Sequence, residues 1–346
     1  MSRPDNAAAL IEYLAERGHL RPARGPQPTL TALTGGVSAE TVLVEAGQER
    51  LVLKRALGKL LVAGEWHAKP ERAMTEAAAI SALHAITPAH VPRLLDADSA
   101  QNALVMEAAP ADWVNWKTIL MGQAPDPSAG IIATAGALGR VLGTWHSRTW
   151  RDPAIAGRFA DAEAFEQLRI NPFYRVIAAA HPAVAGRVAD CVAQLETTRD
   201  CLVHGDYSPK NVLVGPDGLM VLDFEVAHTG AAVFDVAFMQ SHLVLKALHR
   251  PRSAVAIAAA AAAFRSAYET AAARMTGTGK GNGTAAGDLL GTHVACLLLA
   301  RVDGLSPASY LTPATAGVVR ELALALLAGP GPDITDIWQR VKEAAA

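Results

Sequence analysis

Aromatic residues are scarce, at 5 % of the chain, and charged residues supply only 18 %. The net charge is −2, with no basic arm or arginine-rich stripe, which excludes the electrostatic footprint of a nucleic-acid-binding protein. Three cysteines, Cys191, Cys201 and Cys296, cannot all pair, and their wide spacing fits neither a disulfide framework nor a zinc site; they read as reduced core residues. No tract reads as a membrane span. The most apolar one, residues 253–273, is mostly alanine and contains Arg265, Tyr268 and Glu269, so it reads as a helix packed closely through small residues. Residues 1–18 carry Asp5, Glu12 and Glu16 in an amphipathic pattern without the apolar block of a signal peptide, giving a cytoplasmic expectation. The glycine-rich stretch 277–284 fails as a P-loop, because Gly281 rather than Ser or Thr follows Lys280 and a helix rather than a strand precedes it; it reads as a flexible loop between helices. What is present is 346 residues, 51 % hydrophobic, enough for two cores.

One stretch carries chemistry: His204-Gly205-Asp206-Tyr207-Ser208-Pro209-Lys210-Asn211, followed by Asp223-Phe224-Glu225. Two carboxylates and an amide at this spacing are what kinase-type phosphoryl transfer uses. A hydroxyl attacking a terminal phosphate needs a carboxylate to orient it and accept its proton, and Asp206 is the candidate base. Asn211 offers a neutral amide oxygen and Asp223 an anionic one, a donor set suited to Mg2+. Glu225 is a candidate for a second metal or its waters. The apolar runs 212–214 and 219–222 flank Gly215-Pro216-Asp217-Gly218, a turn sequence, and read as a hairpin. Asn211 then enters the first strand and Asp223 leaves the second, at the end of the hairpin beside Asp206. An ordinary hairpin bordered by turn-forming Asp and Asn is the bland alternative.

The pattern H-G-D-x-x-x-x-N, with an Asp closing the next strand, resembles the aminoglycoside phosphotransferase and choline kinase family, small-molecule kinases related in fold to protein kinases. The resemblance implies an α+β, two-lobed, protein-kinase-like fold. A small antiparallel-sheet lobe with one main helix would span residues 1–109, including an N-terminal helix, and a larger, mostly helical lobe residues 110–346. It also implies ATP and Mg2+ as cofactors, Asp206 as catalytic base, Asn211 and Asp223 as metal ligands, and His204 as a brace for the loop. Upstream, Gly35-Gly36-Val37-Ser38 lies between two strands, where backbone amides can approach phosphate oxygens or simply form a hairpin turn. Lys54, closing the apolar strand 51–53, resembles the strand lysine that pairs the ATP α- and β-phosphates. Residues 70–83 form a helical pattern in which Glu76, Ile80 and Leu83 share a face. An inward glutamate is costly unpaired, so a Lys54–Glu76 ion pair is expected. By the same resemblance, backbone groups of Glu107 and Ala108 meet the adenine edge; physics alone supports a buried strand ending near Pro110.

Residues 54–57, 62–66 and 71–76, with the D-x-E form of Asp223-Phe224-Glu225, are similar to methylthioribose kinase within the same broad family. The glycine loop differs, and Arg301 stands alone where that enzyme has an arginine pair. Arg301 is a candidate substrate contact, or a helix C-terminal arginine satisfying free carbonyls. Helical patterns over 137–146, 165–175, 182–195, 233–248 and 292–302 fill the large lobe. Asp235 is expected to cap the fourth of these and brace the catalytic loop. Residues 113–116 and 171–175 are candidates to line an acceptor pocket, although such aromatic spacing usually serves a core. The expected activity is transfer of the ATP γ-phosphoryl group to a hydroxyl of a sugar, amino alcohol or aminoglycoside. Against a protein kinase, Gly205 rather than Arg follows His204, and neither D-F-G nor A-P-E is present. An idle nucleotide-binding module would lack some of Lys54, Glu76, Asp206, Asn211 and Asp223, and all five are present.

Overall fold

The computed structural model describes residues 3–20, 27–33, 39–58, 69–123, 130–276 and 289–345. The glycine turn Gly35-Gly36-Val37-Ser38, the 62–66 segment and the 277–284 stretch therefore lie outside the described residues. The N-terminal half of the fold is an antiparallel sheet of β1 (Thr29–Ala32), β2 (Ala39–Ala46), β3 (Glu49–Ala56), β4 (Leu94–Asp98) and β5 (Ala103–Glu107), in the order β1-β2-β3-β5-β4. Side chains alternate across a strand, so the sheet has two apolar faces with separate partners. Val42, Val44, Leu51, Leu53, Ala103 and Val105 pack with Leu10, Leu14 and Leu20 from the N-terminal helix Arg3–Glu16 and the residues after it. Polar contacts hold that helix to β4: the Tyr13 hydroxyl donates to Asp98 at 3.0 Å and Arg17 to Asp96 at 2.9 Å. Leu104 and Met106 turn the other way and join the core containing Ala73, Ile80 and Leu83 of the helix Arg72–His84. Lys54 shares the parity of Val52, and the same alternation therefore directs it toward that helix.

The rest is mainly helical, as a two-lobed kinase-like architecture requires. Three short antiparallel strand pairings accompany the helices. β6 (Val114–Asn115) pairs with β8, while β7 (Cys201–Val203) pairs with β10 (His228–Gly230). β8 (Val212–Gly215) and β9 (Gly218–Val221) form the expected hairpin, with Gly215 opposite Gly218. Behind it, the helix Ile131–Arg148 packs against the alanine-rich helix Ala254–Ala271. Gly139 and Gly143 make that approach possible: a Cβ at Gly139 would lie 2.1 Å from the Phe264 carbonyl oxygen, and one at Gly143 2.6 Å from that of Tyr268. The alanine tract thus serves helix–helix packing, and among the described residues no single helix is long and apolar enough to cross a membrane. Cys191, Cys201 and Cys296 are buried and free. Trp116 is fully buried, the core role its spacing favoured.

Two local expectations are corrected. The helix expected over 165–175 is a π-helix, Glu166–Arg175, with Pro172 in its interior. Proline has no N–H to donate and crowds the preceding turn, and the wider turn tolerates both. Asp235 does not cap its helix. Val233–His249 starts one turn earlier, with Ala232 at the N-cap and no side-chain cap. The Asp235 carboxylate is instead consumed by the loop it braces, accepting the backbone N–H of His204 at 2.7 Å and of Gly205 at 2.8 Å.

Candidate active site

Lys54 and Glu76 meet as the two periodicities require. The Lys54 ammonium lies 2.9 and 2.8 Å from the two Glu76 carboxylate oxygens, and Glu76 is 1 % exposed. The same ammonium lies 2.5 Å from Asp223 Oδ1, which links β3 and the Arg72–His84 helix to the end of the β8–β9 hairpin. Burial works against the lysine charge, but Asp223, Glu76 and Glu225 outweigh it and raise the ammonium above its ordinary value. Burial pushes the Glu76 carboxyl up to about 7 against the pull of Lys54. Burial likewise opposes ionisation of Asp223, yet Lys54 and Lys210 hold its carboxyl well below the usual range. Asp223 adopts φ +69°, a left-handed conformation uncommon outside glycine and found where a site over-determines the backbone.

Glu225, two residues on, is buried and accepts from Arg72 Nε at 3.0 Å. One oxygen from each of Glu76, Asp223 and Glu225 lies within 4.8 Å of the others. Asn211 adds an amide whose Nδ2 donates to Asp206 at 2.9 Å, and its Oδ1 has no protein donor among the described residues. The three carboxylates so clustered fit a hard divalent cation such as Mg2+.

Asp206 follows a tightly braced turn. Gly205 sits at φ +76°, and a Cβ there would come within 2.8 Å of Val226, so both backbone and space demand glycine. His204 accepts the Asp206 N–H on Nδ1 at 3.1 Å and reaches the Leu222 carbonyl through Nε2, also at 3.1 Å, the bracing role expected of it. Beneath them, His146 bridges Asp235, at 3.2 Å, to the Tyr268 hydroxyl, at 3.0 Å. Three donors converge on one oxygen of Asp206: Arg169 at 3.1 Å, Lys210 at 2.9 Å and Asn211 at 2.9 Å all address Oδ2. Oδ1 has no protein donor among the described residues. Burial disfavours the Asp206 charge, but Arg169 and Lys210 outweigh it and hold the carboxyl below its ordinary value.

Arg169 was not singled out in the sequence. It comes from the π-helix, donates to the Gly205 carbonyl at 2.7 Å as well as to Asp206, and stacks against Phe173 and Phe238. No local spacing signals it. Lys210, by contrast, lies inside the motif. Glu107 and Ala108 end β5, and both backbone N–H groups are occupied, donating to the carbonyls of Arg93 at 3.0 Å and Arg50 at 3.3 Å. Any purine contact from this pair falls to carbonyl oxygens. Arg301 does satisfy a carbonyl beyond its helix, that of Ser306, and also reaches the Ser306 hydroxyl at 3.0 Å, while its Nε is buried without a partner.

A family model for the Phosphotransferase enzyme family matches residues 29–274, a span from the first strand of the sheet to the end of the alanine-rich helix. The chain belongs to that phosphotransferase family. Solved structures agree on the kinase-like fold. A putative aminoglycoside phosphotransferase from Ralstonia eutropha JMP134 superposes with a TM-score of 0.54 at 16 % identity, over 98 % of this chain and 95 % of that one. An amicoumacin kinase in complex with AMP-PNP, Ca2+ and Ami gives 0.52 at 12 %, over 97 % and 100 %. A choline/ethanolamine kinase family protein from Mesorhizobium loti gives 0.51 at 13 %, over 98 % and 99 %. A search of curated proteins finds no match. The phosphotransferase is thus a small-molecule kinase by family and fold.

Proposed function

We propose that this phosphotransferase moves the γ-phosphoryl group of ATP directly to a hydroxyl of a small polar molecule, with the nucleotide held between residues 1–109 and the helical lobe 110–346. The observation that carries the reading is the asymmetry of Asp206. Its Oδ2 takes all three donors, and Oδ1 faces none among the described residues. A carboxylate held ionised in this way orients an incoming hydroxyl and takes its proton late, which suits a loose, metaphosphate-like transition state needing positioning more than a strong base. Lys54, kept charged by its carboxylates and tethered by Glu76, is the partner for the α- and β-phosphates. Lys210 is placed to offset charge building on the transferring group. Asn211, Asp223 and Glu225 would hold Mg2+, which when bound neutralises phosphate charge. Support for ATP as donor comes from the neighbouring amicoumacin kinase, solved with AMP-PNP.

The test is Asp206→Ala. It should lower kcat by about 100-fold, the usual scale for a general base, while leaving MgATP affinity unchanged by calorimetry. Wild-type turnover in this variant would remove Asp206 from the chemistry.

A further inference from the structure

Resting on that reading of Asp206 as the place where the acceptor hydroxyl sits, we infer that the acceptor is an anion: a hydroxylated small molecule bearing a phosphate or carboxylate, gripped by Lys246, Arg301 and Lys117 around Tyr310. Lys246 lies on the buried helix Val233–His249 and is 1 % exposed. Among the described residues its ammonium donates only to the His242 carbonyl one turn back, at 3.2 Å, and it lies 5.8 Å from the centre of the Tyr310 ring. Lys117, from the short helix Trp116–Leu120, places its ammonium 5.9 Å from the same ring. Arg301 enters from the helix Leu290–Asp303. Among the described residues none of these three cations is paired with a carboxylate; Lys246 is buried, Arg301 half-buried and Lys117 exposed.

Two further groups are left wanting in the same place. The Arg301 Nε and the Tyr310 hydroxyl are both buried without a hydrogen-bond partner. A buried ammonium with no counter-ion, beside an unused guanidinium N–H and an unused phenol, is costly for a fold to retain unless a ligand completes it. A bound oxyanion would supply the acceptors that Arg301 Nε and the Tyr310 hydroxyl lack and the counter-charge that Lys246 lacks, and the planar guanidinium suits phosphate or carboxylate geometry.

The cluster is continuous with the reaction centre. Arg169, which binds Asp206, stacks on Phe238, and Phe238 packs edge-on against His242 with ring centres 4.9 Å apart. The charges of Lys246, Arg301, Lys210 and Lys117 all bear on His242, and the fields of Asp206 and Arg169 reach Arg301. Burial, reinforced by Lys117 and Arg301, brings the Lys246 ammonium down to about 7, the response of a cation lacking its anion. A choline or an aminoglycoside would add like charge to this cluster of cations. The choline and aminoglycoside kinases among the neighbouring structures are therefore poor guides to the acceptor of this chain.

The experiment measures ADP release by the full-length protein with MgATP across three arms: sugar phosphates and sugar acids, their neutral parent sugars, and the cations choline and kanamycin. The same compounds are titrated calorimetrically without nucleotide. An anionic acceptor should exceed its neutral parent in kcat/KM by about 100-fold, the worth of two charge-assisted contacts, with the phosphate and carboxylate members separating the two possible anions. Lys246→Met should raise the KM for that acceptor by about tenfold with little change in the KM for ATP. If Lys246→Met fails to fold, Arg301→Lys, which keeps the charge but removes Nε, should give the same split. Preference for neutral or cationic acceptors, or unchanged acceptor KM in both variants, overturns the inference and leaves phosphoryl transfer standing. Loss of MgATP binding strikes the kinase reading instead. In that event calorimetry still decides the anion site: sugar-phosphate binding weakened by Arg301→Lys supports it, and no anion binding overturns it.

Discussion

Asp235→Asn tests how the loop carrying Asp206 is held. The wild-type carboxylate is 0 % exposed and receives the His204 N–H on Oδ2, the Gly205 N–H on Oδ1 and, more distantly, the His146 ring. An amide of the same shape has one acceptor oxygen, so its NH2 must face one of the two backbone N–H groups. One charge-assisted hydrogen bond, about 1.5–3 kcal/mol, is lost and one buried donor, about 1–3 kcal/mol, is stranded. Together these amount to about 3–5 kcal/mol, as expected when one partner leaves a buried charged network. For a chain of this size that corresponds to a fall in Tm of roughly 4–7 °C. Because Gly205 precedes Asp206 directly, a shift of about 1 Å in the loop should also cut kcat by up to about 100-fold.

Acid titration separates this from a general packing defect. Burial opposes ionisation of Asp235, but its His146 partner and the backbone donors hold its folded-state carboxyl below the ordinary value. Its contribution to stability is therefore fully present above the unfolded carboxylate value of about 3.9 and is lost as pH falls from there toward the folded value. Asp235→Asn should flatten this part of the acid unfolding curve. A variant melting within about 2 °C of wild type, with kcat within about twofold, would refute the account of Asp235 as the loop's anchor.

Gly139→Ala should lower Tm, because the new Cβ would meet the Phe264 carbonyl oxygen at 2.1 Å and the two helices must part; overpacking of this kind costs about 1–3 kcal/mol. Gly157→Ala, in the helix Pro153–Arg158 with nothing within 4 Å of the added methyl, is the control and should be neutral or gain about 0.4–1 kcal/mol. Asp223→Ala should abolish most of the Mg2+ dependence of ATP binding, a loss of about tenfold or more in calorimetric affinity, and unchanged metal dependence would take Asp223 out of the proposed cation site.

Features whose partners are set by strand and helix periodicity were legible without coordinates. Lys54 and Glu76 are such a pair, one placed by alternation along β3 and the other by the apolar stripe it shares with Ile80 and Leu83. The hairpin that brings Asn211 and Asp223 to one end was equally local, written in Gly215-Pro216-Asp217-Gly218. Asp235 was recognised as a brace but assigned the wrong mechanism. A helix start in sequence does not tell whether an Asp serves its own helix or a loop elsewhere. Arg169 was missed altogether, since its place depends on a π-turn and on contacts with segments far along the chain.

By itself, then, the sequence determined the reaction class: two carboxylates and an amide at short fixed spacings can converge in only a few ways, and periodicity supplied the lysine and glutamate. Tertiary structure alone decided which oxygen of Asp206 its donors take, how Asp235 holds its loop, and that Lys117 and Lys246 lie over the Tyr310 ring with no carboxylate partner among the described residues. Those outcomes depend on helices from distant parts of the chain meeting at set depths and rotations, and no spacing within any one of them records where its neighbours will be.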